Sequence, residues 1–280
     1  MKLVVDSGSS KADWAIISQG KVLSCFQTKG FNPLFFSEIE MKQFLLDHKK
    51  ININIGHIRQ VYFYSPGFSH IDSRKLLHNT LESVFKESRI YIESDLLAAC
   101  RSVYRSQPLF VSILGTGSNT AFYDGKSVQK ISPSLGYILG DEGSGASLGS
   151  ILIKDYLRNQ LPKDIYIHFS KAHSISLERV LSSVYQEEYP NRFLASYVPF
   201  LREHIAHDYI QSILKKEFQK YFELQVLLHP LHSDFPISFV GSVAFFFEDI
   251  LRQIALENGL KVSEIIQSPI NNLLEFHMRN

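Results

Sequence analysis

Short apolar runs alternate with amphipathic stretches along roughly the first hundred residues. Runs with the length and composition of strands occur at residues 2–5, 13–17, 21–26, 58–64 and 90–93. Stretches with helical spacing occur at residues 37–48, 71–85 and 95–104. Ser37 and Ser94 supply caps for the first and last of these helices. Strands that alternate with helices predict an α/β fold with mixed sheets.

The same order of elements restarts near Pro108. Residues 109–114 form an apolar run, the Gly-rich turn GTGSN follows, and residues 120–131 have the pattern of a hairpin with an Asp-Gly turn. The N-terminal segment has the same layout of apolar strand, Gly/Ser turn, strand, Gly-Lys pair and strand. The sequence therefore predicts a duplicated βββ unit at the head of each of two related domains.

The remainder of the chain predicts helices and one further strand. Residues 144–225 lack strong strand signals and have the character of several helices, whereas residues 237–240 form a strand that a Gly-Ser turn and a helix follow. The expected boundaries are residues 1–107 for the first domain and 108–264 for the second, which carries the helical insertion. Two such domains would meet along a cleft, where ligands usually bind.

Composition limits the partners that the protein is expected to have. The net charge is +1 and 45% of the residues are hydrophobic, so no strong field recruits nucleic acid or an anionic membrane. The two cysteines, Cys25 and Cys100, favour a reduced compartment over a disulfide framework, and both lie in apolar stretches that indicate buried thiols. The sequence has no leader pattern and no apolar run of about 18–20 residues. We therefore expect a cytoplasmic protein with neither nucleic acid nor membrane partners.

Two turns rich in Gly and Ser have the composition of phosphate-binding sites. The first, DSGSSKADW, starts at Asp6, and the second, GTGSN, starts at Gly115. Such residues aim backbone N–H groups at a phosphate chain and allow its close approach. Asp6 makes sense beside phosphates if it holds a hydrated Mg²⁺. Neither turn is a Walker A loop or a dinucleotide-binding G-x-G-x-x-G motif.

Three further motifs are ESDLLAA, YILGDEGSGASLG and FVGSVAFFF. Taken singly, each has an ordinary structural interpretation; Asp95, for example, is an acid that the helix dipole favours in a first turn. In their order along the chain, the five motifs resemble those of the actin-like ATPase superfamily, which includes many sugar kinases. Within that superfamily they resemble N-acetylglucosamine kinases and the related BadF/BadG/BcrA/BcrD ATPases.

The resemblance implies an α/β fold of two RNase-H-like (actin-like ATPase) domains with mixed βββαβα sheets and a central cleft. A C-terminal helix at about residues 265–280 would complete the first domain. The implied cofactors are ATP and Mg²⁺, the implied partner is an amino sugar, and a homodimer is expected. N-acetylglucosamine is the leading acceptor, phosphorylated at C6, with Asp95 as the general base.

The resemblance also assigns binding residues. Those at ATP and its phosphates are Asp6 (which holds Mg²⁺ through water), Gly8, Ser9, Ser10, Lys11, Gly115, Thr116, Gly117 and Ser118, together with Gly241 and Ser242, which lie beside the adenosine. Those at the sugar are Asn32, Thr116, Gly117 and Asp141. The chain departs from the family pattern at two positions: Ser10 stands where Thr is usual and Ser7 where Gly is common. Both residues are small and polar, so we expect the phosphate site to be preserved.

Two other functions stay open on the sequence alone. The same superfamily includes ATPases that activate radical dehydratases and reductases by electron transfer from an iron–sulfur cluster between subunits. Such a cluster needs four thiolates, and neither Cys25 nor Cys100 lies in a Gly-rich loop. The second alternative is a non-catalytic protein that binds sugar or nucleotide and has a regulatory role; the near-neutral charge argues against DNA as its target.

Overall fold

The computed structural model describes residues 1–8, 11–30, 37–66 and 71–279, without the side chain of residue 71. They form two compact units, one of Met1–Val103 with the segment from Pro269 onward, and one of Tyr104–Ser268. The sequence pattern suggests boundaries at residues 107 and 264 instead. The difference arises because Tyr104 packs edge-on against Tyr123 of the second unit, with ring centroids 5.3 Å apart.

The first unit is a five-stranded mixed sheet with helices on both faces. Its strands are β1 (Lys2–Ser7), β2 (Lys11–Ser18), β3 (Lys21–Lys29), β4 (Gln60–Ser65) and β5 (Arg89–Ser94). Their order is β3-β2-β1-β4-β5; β1, β4 and β5 are parallel to one another, and β2 is antiparallel to both of its neighbours. The helices are α1 (Glu38–Asp47), α2 (Lys49–Asn52), α3 (Ile71–Val84), α4 (Asp95–Val103) and the C-terminal α14 (Ile270–Arg279), with a short 3₁₀ turn at Ile55–His57.

Both faces of this sheet are buried because its central strands are apolar on both sides. On one face Trp14, Phe63 and Leu81 belong to a cluster that includes residues of α1 and α3. On the other face Val4 and Ala15 pack with Leu273 of α14. Ser37 caps α1 in a complete capping box with Glu40, as the sequence predicts.

The second unit repeats the same sheet topology. Its strands are β6 (Leu109–Leu114), β7 (Ser118–Tyr123), β8 (Val128–Lys130), β9 (Ile237–Val240) and β10 (Val262–Ile266). Their order is β10-β9-β6-β7-β8, which is the order of the first sheet with each strand replaced by its counterpart. This correspondence confirms the predicted duplication of the βββ unit.

Helices occupy most of the second unit between its β8 and β9 strands. They are α5 (Gly136–Leu139), α6 (Gly145–Leu157), α7 (Lys163–Ala172), α8 (Leu177–Tyr185), α9 (Pro190–Ala195), α10 (Val198–Glu203) and α11 (Asp208–Gln225), while α12 (Ser242–Phe246) and α13 (Glu248–Glu257) follow β9. The predicted helical insertion is therefore present. Within the described ranges, no helix combines the length and the apolar character needed to cross a membrane.

The structure differs from the expectations at two places. The C-terminal helix that the resemblance places at about residues 265–280 begins at Ile270, because β10 continues to Ile266. The strand escapes detection because it carries Ser263 and Glu264 and has an irregular register with β9. Cys25 is exposed rather than buried.

The exposure of Cys25 follows from its position on an edge strand. Successive side chains of β3 point to opposite faces, and the neighbouring Phe26 takes the inward direction, where its ring stacks on Trp14 at 5.8 Å. Cys100 is buried, as expected.

Candidate active site

Three aspartates of the first unit interact at the end of its sheet where the parallel strands have their carboxyl ends. Asp6 on β1 lies opposite Asp13 on β2, and residues in such antiparallel pairs project from the same face. Asp95 follows β5, and since β1 and β5 are both parallel to β4, Asp6 and Asp95 lie at the same carboxyl edge. This edge is where ligands bind in open α/β sheets.

The electrostatics of Asp6 are unusual. Burial and the negative charges of Asp13 and Asp95 raise the pKa of the Asp6 carboxyl to about 7, and the positive charge of Lys11 opposes this only in part. Lys11 itself is turned toward Asp13, with 3.3 Å between its Nζ and Oδ2. The other Asp13 oxygen accepts a hydrogen bond of 2.6 Å from Gln27 Nε2. The cluster thus carries excess negative potential, which favours a bound cation.

The raised pKa of Asp6 predicts a pH-dependent stability of the ligand-free protein. The ordinary value is 3.8 and the folded value is about 7, so between these values the folded state binds a proton that the unfolded state has lost. Stability from this group is therefore complete below about pH 4 and falls as the pH rises toward 7. Asp6→Asn removes the dependence and is expected to raise the free energy of unfolding at about pH 8 by on the order of 2 kcal/mol.

Urea unfolding of the wild type and of Asp6→Asn at about pH 5 and about pH 8 measures this effect. The difference between the two proteins should grow toward the higher pH. An equal difference at both pH values would show that the Asp6 carboxyl titrates normally.

Asp95 opens α4 in a geometry that the sequence predicts. The hydroxyl of Ser94 accepts a hydrogen bond of 3.1 Å from the backbone N–H of Leu97, which is the expected N-cap. Oδ1 of Asp95 accepts a bond of 2.8 Å from the N–H of Leu96. A rigid strand end and a capped helix therefore hold the Asp95 carboxylate in place.

The predicted phosphate turn of the second unit is fastened to the start of α6. Within the turn, the Gly115 N–H donates to the Gly117 carbonyl at 3.0 Å. The carbonyls of Gly115 and Thr116 accept hydrogen bonds of 2.8 and 3.1 Å from the N–H groups of Gly145 and Ala146. The turn therefore has a defined conformation before any ligand binds.

The hydroxyl of Ser118, at the start of β7, is a buried polar group of this turn. Ser118 is 6% exposed, and its Oγ has no hydrogen-bond partner among the described residues. Because unpaired buried hydroxyls are costly, this oxygen is a candidate ligand contact.

The two glycines of the turn face different surroundings. A Cβ added to Gly117 would lie 2.9 Å from Oδ2 of Asp141, whereas a Cβ added to Gly115 would meet nothing within 4 Å. Gly117 therefore has a structural reason to lack a side chain, and for Gly115 the structure shows none. The open space at Gly115 leaves room for the ligand that the resemblance predicts there.

Gly115→Ala is accordingly expected to leave the melting temperature unchanged and to raise the KM for ATP about tenfold. The added methyl group would collide with the bound ligand, which costs about 1–2 kcal/mol of binding free energy. Thermal melts and ATP titrations of activity provide the two measurements. Gly56→Ala is the control, since its added Cβ also meets nothing within 4 Å. An unchanged KM for ATP would remove Gly115 from the binding site.

Asp141 is brought to the Gly117 turn by a loop of left-handed residues. Asp141 has φ +56° and Gly143 has φ +70°, and a left-handed conformation at a non-Gly residue is uncommon. Asp141 is 9% exposed, and its carbonyl accepts a hydrogen bond of 3.1 Å from the Ser144 N–H. The loop thus unites two of the predicted sugar-side residues, Gly117 and Asp141.

Gly241 approaches the phosphate turn from the other side. It has φ +132°, and a Cβ there would lie 2.2 Å from the carbonyl oxygen of Leu114 and 3.2 Å from the nitrogen of Gly115. Its N–H donates to the Ile266 carbonyl at 2.9 Å, and Ser242 opens α12. The structure thereby brings the predicted adenosine-side glycine against the predicted phosphate turn.

Of four further predicted site residues in the first unit, the structure describes only Gly8. The N–H of Gly8 donates to the carbonyl of Lys11 at 2.8 Å, which closes the turn between β1 and β2. Ser9, Ser10 and Asn32 lie outside the described residues, so their assignments stay predictions.

Sequence reasoning missed a set of buried polar residues on α11 and in the adjoining Asp141 loop. The set consists of Glu142, Glu217, Tyr221 and Gln225, all buried. The signal was present in the sequence, because the three residues on α11 are spaced by four and therefore share one helix face. A polar stripe of this kind on a buried helix face is uncommon and can be searched for.

Comparison with known proteins decides the family. No protein-family model and no curated protein sequence matches the chain. Among solved structures, one from Porphyromonas gingivalis that carries the name putative N-acetylglucosamine kinase has 35% sequence identity and a TM-score of 0.93, covering 100% of this chain and 99% of that one. The chain belongs to this family. It is thus a member of the N-acetylglucosamine kinase-like sugar phosphotransferases, as the motifs indicate.

More distant structures support the fold of this kinase family. A Chromobacterium violaceum protein with the same name has 16% identity, a TM-score of 0.67 and coverage of 98% of both chains. A glucokinase of the ROK family from Streptomyces griseus, determined with glucose and AMPPNP, has 13% identity and a TM-score of 0.57, covering 98% of this chain and 97% of that one. At these identities the likeness shows the actin-like ATPase fold, which confirms the predicted fold class.

Proposed function

We propose that the protein transfers the γ-phosphoryl group of ATP to a hydroxyl of an amino sugar, with N-acetylglucosamine phosphorylated at C6 as the leading case. The observation that carries this proposal is the 35% identity over the full length of the Porphyromonas gingivalis structure. The nucleotide assignment draws support from the glucokinase of the same fold, whose structure contains AMPPNP.

Asp95 is proposed to bind the acceptor hydroxyl and to take its proton. Its carboxylate lies at the carboxyl edge of the sheet and is held by a capped helix start. As the hydroxyl oxygen forms its bond to the γ-phosphorus, the bond from that phosphorus to the β–γ bridging oxygen breaks, and the proton passes to Asp95. The protein's main task is alignment of these atoms.

The residues at Asp6 fit a magnesium ion held through water. Their donors are carboxylates, the oxygen ligands that Mg²⁺ prefers. The pKa of Asp6 is raised first by burial and then by the negative charges of Asp13 and Asp95, and a cation would compensate that charge. Among the described residues no group of three ligating side chains is arranged to hold a metal directly. When bound, Mg²⁺ would neutralise charge on the phosphates.

The second unit is proposed to bind the phosphates and the sugar. Gly115 offers unfilled space to a close ligand, and the unpartnered Ser118 hydroxyl offers a hydrogen bond. The Asp141 carboxylate, which accepts but does not donate when ionised, suits sugar hydroxyls. Gly241 and Ser242 are assigned to the adenosine side.

An ATP-dependent phosphorylation screen over amino sugars, with the modified hydroxyl mapped in each product, tests the proposal. We expect N-acetylglucosamine 6-phosphate as the main product. Glucosamine, N-acetylmannosamine and muramic acid derivatives are the informative competitors. Light scattering tests the proposed homodimer on the same preparation.

Measurements on the same preparation test the two alternative functions. The (R)-2-hydroxyglutaryl-CoA dehydratase component A from Acidaminococcus fermentans shares the fold, with a TM-score of 0.53 and 11% identity. In the present chain Cys100 is buried, and burial raises the pKa of its thiol, which disfavours a thiolate ligand. A colourless, iron-free anaerobic preparation excludes a cluster-dependent activator, and sugar-stimulated ATP turnover excludes a non-catalytic regulator.

A further inference from the structure

One face of α11 carries a buried polar stripe that is hydrogen-bonded to β6, β7, the start of α6 and the Asp141 loop. Glu217, Tyr221 and Gln225 are spaced by four residues and are 8%, 0% and 8% exposed. Most buried polar groups in folded proteins are hydrogen-bonded, because leaving them unpaired costs free energy. The partners of these three residues therefore show what the stripe holds in place.

The first two residues of the stripe, Glu217 and Tyr221, are hydrogen-bonded to the elements that carry the phosphate turn. Oε2 of Glu217 accepts a hydrogen bond of 2.5 Å from the Ser147 hydroxyl in the first turn of α6. The Tyr221 hydroxyl lies 2.8 Å from Oγ1 of Thr120 on β7 and also bonds to the hydroxyl of Ser112 on β6. Thus α11 is attached to both strands of the phosphate hairpin and to the helix on which its turn rests.

The third residue, Gln225, reaches the Asp141 loop itself. Its Nε2 donates to Oε2 of Glu142 at 3.1 Å, and its Oε1 accepts from the Ser132 hydroxyl at 3.2 Å. Glu142 is 8% exposed, and none of the ion pairs among the described residues includes it. The amide of Gln225 is thus a neutral partner for a buried carboxylate next to Asp141.

The backbone at Asp141 explains why such a partner is needed. Asp141 adopts φ +56°, a conformation that persists only where the surroundings constrain it. Its carboxylate packs so closely on Gly117 that a Cβ at that glycine would lie 2.9 Å away. Glu142 is the next residue in the chain, so the hydrogen bond that fixes its position also constrains the backbone that carries the Asp141 carboxylate.

We propose that Gln225 and Glu142 form a positioning pair that holds the Asp141 carboxylate against Gly117 and thereby sets the affinity for the acceptor sugar, leaving the affinity for ATP unchanged. The inference rests on the proposed function, in which Asp141 binds the sugar. Gln225 acts through Glu142 and Asp141 and does not itself touch the substrate. It is the feature that determines how tightly an amino sugar is held.

The test compares the pair in its native, broken and reversed forms. Gln225→Glu places a second carboxylate opposite Glu142, and we expect the KM for N-acetylglucosamine to rise at least about tenfold while the KM for ATP stays within about twofold. The double variant Glu142→Gln with Gln225→Glu restores one amide and one carboxylate at the native net charge. It should recover most of the sugar affinity.

Gln253→Glu is the matched control. Gln253 on α13 is exposed and donates to Oε1 of Glu257 at 2.9 Å, so the same substitution beside a carboxylate should leave both KM values unchanged. If Gln225→Glu does not fold, Gln225→Met removes the hydrogen bonds without adding charge and should show the same selective rise in KM for the sugar.

Three outcomes would contradict the positioning role of Gln225. Equal changes in the KM values of sugar and ATP, a reversed pair without recovery, or a Gln225→Met variant with native sugar affinity would overturn it. A wild-type protein without activity on any amino sugar would instead overturn the proposed function, so the two failures are distinguishable.

Discussion

Asp95→Asn is expected to bind ATP normally and to lose turnover by about 10²–10⁴-fold, because an amide cannot accept the proton of the attacking hydroxyl. The substitution keeps the shape of the side chain. An amide oxygen can also accept the 2.8 Å hydrogen bond from the Leu96 N–H, so the start of α4 should remain intact. The loss should appear in kcat at saturating sugar and ATP.

The measurement pairs coupled kinase assays with ATP titration by calorimetry. Asp208→Asn is the matched control, since Asp208 is also the first residue of a helix, α11, and is exposed. If Asp95 serves only the helix dipole, both variants will show equally small effects. Near-normal phosphorylation of every amino sugar by Asp95→Asn would refute its role as the base.

Gly149→Ala is expected to lower the free energy of unfolding by about 3 kcal/mol or more, because the helix α6 has no room for a side chain there. A Cβ at Gly149 would lie 1.9 Å from the carbonyl oxygen of Leu194 in α9. That atom belongs to the backbone, so relief requires the two helices to separate. Helix propensity alone predicts that Gly149→Ala raises the free energy of unfolding, since alanine in a helix is favoured over glycine by about 1 kcal/mol.

Chemical denaturation of Gly149→Ala measures this effect. Gly56→Ala, where the added Cβ meets nothing within 4 Å, should be nearly neutral. Equal or greater stability of Gly149→Ala would mean that α6 and α9 do not cross as closely as the structure indicates.

The local elements of this fold were predictable because their signals lie within a few residues of one another. The strands of the two βββ units and the Ser94 cap of α4 follow from periodicity and capping, and the structure contains them. Where the pattern is weak, prediction failed: β10 has polar residues and an irregular register. Cys25 shows a related limit, because apolar neighbours do not reveal that its strand lies at a sheet edge.

The candidate site was predictable only as a list of residues. Motif order pointed to Asp6, Asp95 and Asp141, but each has an ordinary structural role when it is taken alone. The structure shows which surroundings alter their chemistry: burial, together with the charges of Asp13 and Asp95, raises the pKa of Asp6, and the Asp141 carboxylate lies directly on Gly117. These relations join residues far apart in sequence, where no local pattern can indicate distance.

The sequence by itself therefore determined the order of elements, their duplication and the chemical types at the site, because period, capping and turn propensity act over short stretches of chain. Only the tertiary structure decided which polar groups are buried together, that α11 supports the Asp141 loop through Gln225, and why Gly149 must lack a side chain. Those properties depend on packing between elements. There, a single methyl group or one unpaired carboxylate changes the free energy of unfolding by at least as much as the difference in helix propensity between two residue types.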